Sequence, residues 1–443
     1  MRHWAGMWTF YPDLLAKPVP RYTSYPTAAE FGTLHGGLHR RALERTSGEI
    51  SLYVHIPFCE RICFYCGCNT GKSNRRGRLE SYLGALHAEI ETVSSALPEG
   101  TRVGRIAFGG GSPNAITPDD FRALFATLER HFTLDDPVLS VELDPRTLDR
   151  DWAAVIGEFG ITRASLGVQT FARHCQEAIG RVQPEDCIVQ AADWLREEGI
   201  TSLNFDLMYG LPGQTLHDLE DSLQRTRVLG ADRIALFGYA HVPHLVPRQR
   251  VIDASRLPDL AERFAMADFG YGYLVTHGYA AIGFDHFAKA GRDPLARAAF
   301  AGKLRRNFQG FTDDQSSTLI GLGASAISKF DHLFVQNEKN SGRYRMLAFD
   351  GLLPTGLGTS RSGDDRYRAA IIEQLLCQGA ARLGARLMRE NRERLVPFLD
   401  RGLAVVDREW LRILPEGLPY ARTIAAVFDS YRTGQQAKFS SAV

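Results

Sequence analysis

Between about residues 49 and 285 the chain alternates short apolar, β-branched runs with longer stretches that repeat apolar residues at helical spacing. Six such pairs occur. Repeated strand–helix units imply parallel strands joined by right-handed helical crossovers. The pattern therefore predicts an α/β fold with a partial, TIM-like (β/α)6 barrel. The predicted strands are SLYVHI, RIAFGG, LSVELD, TRASLGV, TSLNFDLMYG and DRIALFGYA, and the predicted helices are Leu79–Val93, Pro118–His131, Leu148–Glu158, Pro184–Glu198, Leu216–Leu229 and Leu257–His277.

The alternation is absent on both sides of this barrel, which we assign to residues 49–285. Residues 1–48, with VPRYTSYPTA, are rich in Pro, Tyr and Thr and predict an irregular N-terminal arm. Residues 286–365 predict a Gly-rich connecting segment that covers the substrate. Residues 366–443 predict a small, mostly helical, winged-helix-like domain. Its predicted helices are Arg366–Leu383, Ala385–Leu399 and Tyr420–Tyr431, with a strand at LAVVD.

Composition places the chain among ordinary globular proteins. Its 443 residues are 44% hydrophobic and 23% charged, and the net charge is +1. This balance gives no sign of a nucleic-acid partner. No apolar run reaches the roughly 18 residues of a membrane span, and no secretory signal precedes Pro20. We therefore expect a cytoplasmic protein.

The strongest chemical signal is HIPFCERICFYCGCN, which places Cys59, Cys63, Cys66 and Cys68 directly after the first strand. Cysteine thiolates are the usual ligands of iron–sulfur clusters, and three of them leave one iron of a [4Fe-4S] cluster open to a small molecule. A structural zinc site needs four ligands, commonly in two separated pairs, and the sequence offers no second pair. A non-catalytic iron–sulfur carrier or a zinc scaffold remains the alternative.

Polar residues follow the other predicted strands. Barrels of this kind carry their active sites at the carboxyl ends of the strands, so these residues should meet in one pocket. Carboxylates there suit a ribose diol or an ammonium group, and Arg181 could clamp a carboxylate. The Gly109–Gly111 triplet would let a ligand approach the backbone. The strand-end residues are His55, Glu142, Asp144, Gln169, Asp206, Tyr239, Ala240 and His241.

The C-x3-C-x2-C loop resembles the signature of the radical S-adenosylmethionine (SAM) superfamily. The resemblance implies a barrel of the radical SAM type whose open iron binds the amino and carboxylate groups of SAM. Reductive cleavage of SAM then yields a 5'-deoxyadenosyl radical. By position, Cys59, Cys63 and Cys66 are implied as the cluster ligands, and Cys68 as a neighbour.

Over nearly its whole length the chain resembles the oxygen-independent coproporphyrinogen III oxidase family. Stretches that carry this resemblance include PRYTSYPTA, LYVHIPFC, GGGSP, VELDPR, NFDLMYGLPGQT, GYAHVP, RNFQGFT and GLGASAIS. The family implies two SAM molecules side by side, and functional roles for Tyr53 and His55. The first SAM is implied at Tyr53, Gly110, Glu142 and Ile327, and the second at Tyr65, Gly111, Ser112, Gln169, Arg181, Asp206 and Ala240.

The reaction implied by this resemblance is oxidative decarboxylation of two propionates of coproporphyrinogen III to vinyl groups, in haem biosynthesis. It also implies a monomer that takes electrons from a donor such as flavodoxin or ferredoxin. Because the substrate carries four carboxylates, its pocket should offer cations. Arg21, Arg305 and Arg306 lie in family-like segments and are candidates.

Two rivals belong to the same superfamily. A haem chaperone shares the barrel but usually carries Phe in place of Cys68 and lacks the PRYTSYPT arm, so both features favour the oxidase. A radical SAM methyltransferase or cyclopropanase would use the second SAM as a carbon donor, and the sequence separates it poorly. Departures from the family pattern are Ser-Pro-Asn after the Gly triplet, the CNTGKSN continuation, and the divergent stretch between Asn340 and Ser362.

Overall fold

The computed structural model describes residues 6–432. The outer ends of the predicted arm and C-terminal domain, residues 1–5 and 433–443, lie outside the described residues. Six parallel strands, neighbours in chain order, form the centre of a 13-stranded sheet. The predicted α/β partial barrel is thereby confirmed. These strands are β1 (Glu49–Ile56), β2 (Arg102–Gly110), β3 (Thr133–Leu143), β4 (Arg163–Gln169), β5 (Ser202–Tyr209) and β6 (Arg233–Gly238).

A long helix follows each strand, as predicted. Three of the helices begin with a capping box. In each, the side chain of the N-cap residue accepts a hydrogen bond from the backbone N–H three residues later, and the side chain of that later residue accepts one from the N-cap backbone N–H. A short extra helix, Arg173–Ala178, comes between β4 and its long helix. The long helices are α1 (Arg76–Ser94), α2 (Pro118–His131), α3 (Arg150–Glu158), α4 (Glu185–Glu197), α5 (Leu216–Val228) and α6 (Leu260–Thr276).

Strand β4 shows how the barrel separates its two faces. Ala164, Leu166 and Val168 are buried in the main hydrophobic core. The alternate residues Ser165 and Gln169 line the barrel interior. Because strand side chains alternate with a period of two, one strand supplies both core and cavity wall. The interior of the barrel is therefore a cavity with polar side chains in its wall rather than a packed apolar core.

The segment predicted as a connection, residues 286–365, instead extends the sheet on both sides. Its strands are only three to six residues long, too short for hydrophobic periodicity to reveal them, and two of them contain glycine. The β6 side adds β7 (Tyr279–Ile282) and β8 (His286–Lys289); the β1 side adds β9 (Leu319–Leu322), β10 (Ile327–Lys329), β11 (Leu333–Asn337) and β12 (Thr355–Ser360). The segment also contains helices Pro294–Phe300 and Ser341–Phe349 and the hairpin Arg305–Asn307/Gly310–Thr312.

The arm is less irregular than predicted. It contains helices Pro12–Leu15 and Gly36–Glu44, and strand Gly32–Thr33 pairs with β12. The arm is also held by the other end of the chain, because the Tyr22 hydroxyl donates to Asp429 Oδ2 (2.9 Å) and Tyr25 and Ser430 share a hydrogen bond of 2.9 Å. The domain boundaries themselves stay a prediction.

The C-terminal part differs from its prediction at two helix ends. The first helix, Gly363–Gln378, stops before Gly379, which adopts a left-handed conformation, so the predicted end at Leu383 is wrong. The last helix spans only Ala421–Ala425, followed by two short 3-10 turns, Ala426–Phe428 and Ser430–Arg432. Helix Ala385–Leu399 has the predicted bounds. A three-stranded antiparallel sheet completes this part: Ala380–Arg382, Trp410–Ile413 and Ala404–Asp407.

Within residues 6–432, no helix is both long enough and apolar enough to cross a bilayer.

A buried carboxylate ties helix α1 to the strands beside β1. Glu89 is fully buried and accepts three hydrogen bonds, from the Gly323 N–H (2.7 Å), the Asn337 side chain (2.5 Å) and the Tyr344 hydroxyl (2.5 Å). Burial raises the pKa of Glu89 to about 7. Its removal would leave all three donors without this acceptor, deep in the protein.

We expect Glu89→Ala to lower the free energy of unfolding by about 3 kcal/mol, because it creates a cavity and strands buried donors. Glu91→Ala, two residues away on the exposed face of the same helix, is the control and should change it by less than about 0.5 kcal/mol. Urea denaturation followed by circular dichroism measures both. Equal effects of the two substitutions would contradict the role given to Glu89.

Candidate functional site

A cavity of about 440 Å³ opens at the carboxyl ends of the barrel strands and meets the cysteine loop there. Most of the predicted site residues line it, as the convergence of parallel strand ends requires. Tyr53, His55 and Ile327 do not line this cavity. The predicted residues in its wall are Cys59, Cys63, Cys66, Tyr65, Gly110, Gly111, Ser112, Glu142, Gln169, Arg181, Asp206 and Ala240.

Backbone contacts hold the cysteine loop above the barrel. Strand Phe58–Cys59 pairs with Gly71–Lys72 and so closes the loop at its base. The Phe64 N–H donates to the carbonyl of Ile179 (2.9 Å), and the side-chain amide of Gln249 donates to the carbonyl of Tyr65 (2.8 Å). The thiols of the loop thus face the cavity from a fixed position.

The surroundings of the thiols suit metal binding. Arg181 and Arg146 each donate toward Cys63 Sγ, at 3.4 and 3.6 Å. Hydrogen bonding with Cys68 lowers the pKa of Cys66 to about 6, whereas burial raises the pKa of Cys59 to about 12. Thiolates are the form that binds metal, and an iron ion would itself deprotonate the Cys59 thiol. The donor set therefore fits an iron–sulfur cluster with three protein ligands.

The glycine triplet is required by close contacts on three sides. A Cβ on Gly109 would lie 2.7 Å from the Glu142 carboxylate, and one on Gly110 would lie 2.4 Å from the His55 ring. On Gly111 it would lie 2.3 Å from the carbonyl oxygen of Phe58. Gly110 also has a φ of +113°, which side chains rarely adopt. Glycine is thus needed for β2 to meet the cysteine loop.

Two acidic side chains face each other across the cavity floor. Glu142 is enclosed by the barrel walls but open to the cavity, and this enclosure together with the charge of Asp206 raises its pKa to about 7. Asp206 accepts hydrogen bonds from Ser165 (3.0 Å) and Asn204 (2.8 Å), and burial raises its pKa. Two carboxylates that repel each other at this position favour a cationic or hydroxyl-rich ligand.

Arg181 is buried and paired with Asp144 rather than lying on the surface. Its guanidinium donates to both Asp144 oxygens, at 3.2 and 3.4 Å. Burial alone would raise the pKa of Asp144, but the charge of Arg181 and the bonds from Arg146 hold it below the usual value. The pair therefore lies in the cavity wall between Cys63 and β4.

Tyr53, His55 and Ile327 lie together beside the cavity, on the β1 side. The Tyr53 hydroxyl shares a hydrogen bond with His55 Nδ1 (3.1 Å), and His55 Nε2 lies 3.4 Å from Ser325 Oγ. Ile327 belongs to β10, close to Gly321 of β9. His55 borders the cavity only through Gly110. These assignments, like the others from the family resemblance, stay predictions.

The arginines proposed for substrate carboxylates separate into two groups. Arg21 lines the cavity. Arg305 pairs with Glu373 (2.9 Å), and buried Arg306 donates to backbone carbonyls of the arm, and neither lines this cavity.

Sequence reasoning missed Arg146 and Gln249. Arg146 follows Asp144 in VELDPR, and the spacing alone does not show that it turns back toward Cys63. Gln249 is buried in the short 3-10 helix Pro247–Val251, and its side-chain amide donates to the carbonyls of Tyr65, in the cysteine loop, and Ala240, just after β6. No sequence pattern marks a single glutamine in such a short element.

Comparisons with known proteins agree with this geometry. The profile of the Radical SAM superfamily matches residues 53–226. A protein named oxygen-independent coproporphyrinogen III oxidase from Cereibacter sphaeroides is 38% identical over 96% of both chains. One of that name from Paracoccus denitrificans is 39% identical over 93% of this chain and 94% of its own.

A solved structure of coproporphyrinogen III oxidase from Escherichia coli, described as a radical SAM enzyme, superposes with a TM-score of 0.90. It is 33% identical and covers 96% of this chain and 99% of its own. With full-length relatives above 30% identity and the same fold around the same cysteine loop, the chain belongs to the oxygen-independent coproporphyrinogen III oxidase family of radical SAM proteins.

Proposed function

We propose that the protein converts coproporphyrinogen III to protoporphyrinogen IX without oxygen, by oxidative decarboxylation of two propionates to vinyl groups. The observation that carries this proposal is one cavity that joins four cysteines, the three predicted ligands and Cys68, to the ends of five parallel strands. Family membership supports the substrate and the reaction.

Cys59, Cys63 and Cys66 are proposed to hold a [4Fe-4S] cluster at the mouth of the cavity. A cluster and SAM bound there would supply a 5'-deoxyadenosyl radical to take a hydrogen atom from the carbon next to the one that bears the propionate carboxylate. Cleavage of the bond to the carboxylate, with release of carbon dioxide and transfer of one electron to an acceptor, would then leave the vinyl group. The glycine triplet fits a cluster at this position, because residues without a side chain let the backbone of β2 approach the cysteine loop closely.

The side chains around the cavity bind and orient SAM. Glu142 and Asp206 accept hydrogen bonds from the ribose hydroxyls or the ammonium group of SAM, and their mutual repulsion is relieved by a cation. Arg181, oriented by Asp144, binds the methionyl carboxylate. Tyr65 and Ala240 complete the wall of the cavity, and the side-chain amide of Gln249 donates to the backbone carbonyls of both.

The cysteine loop also suits electron delivery from a small protein such as flavodoxin or ferredoxin. Glu60, Arg61 and residues 67–69 are exposed, so the loop reaches the surface. We propose that a donor docks there, on a cytoplasmic monomer.

The activity is tested by anaerobic incubation of the reconstituted, reduced protein with SAM and coproporphyrinogen III. We expect protoporphyrinogen IX, carbon dioxide and 5'-deoxyadenosine, all absent without SAM. Methylthioadenosine or S-adenosylhomocysteine with a methylated product would instead indicate a methyltransferase, and haem retention without turnover would indicate a chaperone.

Two cysteine variants test the ligand assignment. Cys66→Ala should lose the cluster and the activity together, whereas Cys68→Ala should keep most of the iron, because Cys68 is predicted as a neighbour. Iron and sulfide analysis and the electron paramagnetic resonance spectrum, with and without SAM, measure this. A Cys68→Ala protein without iron would show the assignment to be wrong.

SAM affinity should depend on pH through Glu142. With its pKa raised to about 7, Glu142 is protonated as the pH falls from 8 to 6, and the attraction for the SAM cation is lost. We expect affinity to fall by up to about tenfold per pH unit below the pKa, and Glu142→Gln to flatten this dependence. Calorimetric titration of the reconstituted proteins measures it. Because SAM titrates identically in both experiments, equal pH profiles would refute the role of Glu142.

A further inference from the structure

A second, small cavity, of about 60 Å³, lies behind β6 and adjoins the site at Arg21 and Gly238, which line both. Its walls are aromatic, with Trp8, Tyr271 and Phe284. Its charged lining residues are Arg21, Asp285 and Arg422. The arm, the barrel and the C-terminal part each supply a side of this cavity.

Positive charge exceeds negative charge around this cavity. Arg422 is 9% exposed and Arg306 is 7% exposed, and both guanidinium groups lie over the Phe284 ring, at 5.3 and 4.9 Å from its centre. Arg21 lies over the Phe237 ring at 5.2 Å. Among the lining residues that the structure describes, Asp285 is the only acid, and its Oδ1 is taken by His286 Nδ1 (2.6 Å).

This excess is costly in the protein alone. Burial and the neighbouring charge of Arg21 lower the pKa of Arg422 to about 10, and burial lowers the pKa of Arg306. Arg306 and Arg263 lie outside the lining of this cavity, although each has a buried nitrogen with no hydrogen-bond acceptor within residues 6–432. Two arginines beside a single acid, in a cavity with aromatic walls, favour an anion attached to an apolar body.

We propose that this second cavity binds a propionate carboxylate of the porphyrinogen, on a pyrrole ring that is not decarboxylated. The inference rests on the proposed function. Two of the four propionates react, and these must reach the cavity beside the cysteine loop. The arginine cavity lies across Gly238 from that loop, so it takes a retained propionate, with Arg21 between the two. The contact between the retained propionate and the arginines is therefore the same in the substrate complex and in the product complex.

The test compares Arg422→Gln with Arg386→Gln in the reconstituted holoenzyme. Arg386 is half-exposed on helix Ala385–Leu399 and pairs with Asp364 and Glu390, away from the cavity. We expect Arg422→Gln to raise KM for coproporphyrinogen III by 10- to 100-fold, the loss of a charge-assisted hydrogen bond. The kcat should fall much less, Arg422→Lys should recover part of the loss, and Arg386→Gln should match the wild type.

A binding measurement separates the two proposals. Coproporphyrin III and its tetramethyl ester serve as probes by fluorescence, and the variant should weaken binding of the acid but not of the ester. Weaker acid binding without wild-type turnover would overturn the proposed function and leave this site standing.

Normal turnover with unchanged KM and unchanged acid binding in Arg422→Gln would overturn this site alone. Should that variant fail to fold, Arg21→Gln, at the junction of the two cavities, decides by the same two measurements.

Discussion

The site depends on the backbone-to-backbone approach of β2 to the start of the cysteine loop. The β1–β2 ladder continues beyond the strands, since the Gly111 N–H donates to the Ile56 carbonyl (2.9 Å) and the Ser112 N–H to that of Phe58 (2.7 Å). Glycine at these positions lets the backbone of the cysteine loop pack against the end of β2, so that the thiols lie close to the strand ends. Any side chain at Gly111 would push the loop away and separate the thiols from the carboxylates.

The cavity divides its charges by position. Arg181 and Arg146 donate toward Cys63 Sγ, where they offset the negative charge of a thiolate, and the carboxylates of Glu142 and Asp206 lie in the wall formed by β3 and β5. Asp144 stands between the two groups and stays ionised because Arg181 and Arg146 bond it. We therefore expect a ligand that carries both a carboxylate and a cation to bind there in one orientation.

Much of the barrel was predictable because each strand–helix unit is long and periodic, and because parallel strands bring Glu142, Gln169 and Asp206 to one edge. Strands β9 to β12 were not, since their pairing depends on distant partners rather than on local pattern. Helix Gly36–Glu44 begins with two glycines, which conceal it. Gln249 and Arg146 act through contacts that the spacing of residues in the sequence does not reveal. The helix Ala421–Ala425 ends earlier than predicted, and Asp429, beyond its end, accepts a hydrogen bond from Tyr22.

The clasp between the arm and the C-terminal segment has a consequence for synthesis on the ribosome. Tyr22 and Tyr25 find Asp429 and Ser430 only after 407 and 405 further residues, respectively, have been made. Arg21 lies beside this clasp and Arg422 near its other half. The sheet of the barrel can therefore form before the arm is bound. The second cavity, which needs both the arm and the C-terminal segment, forms after it.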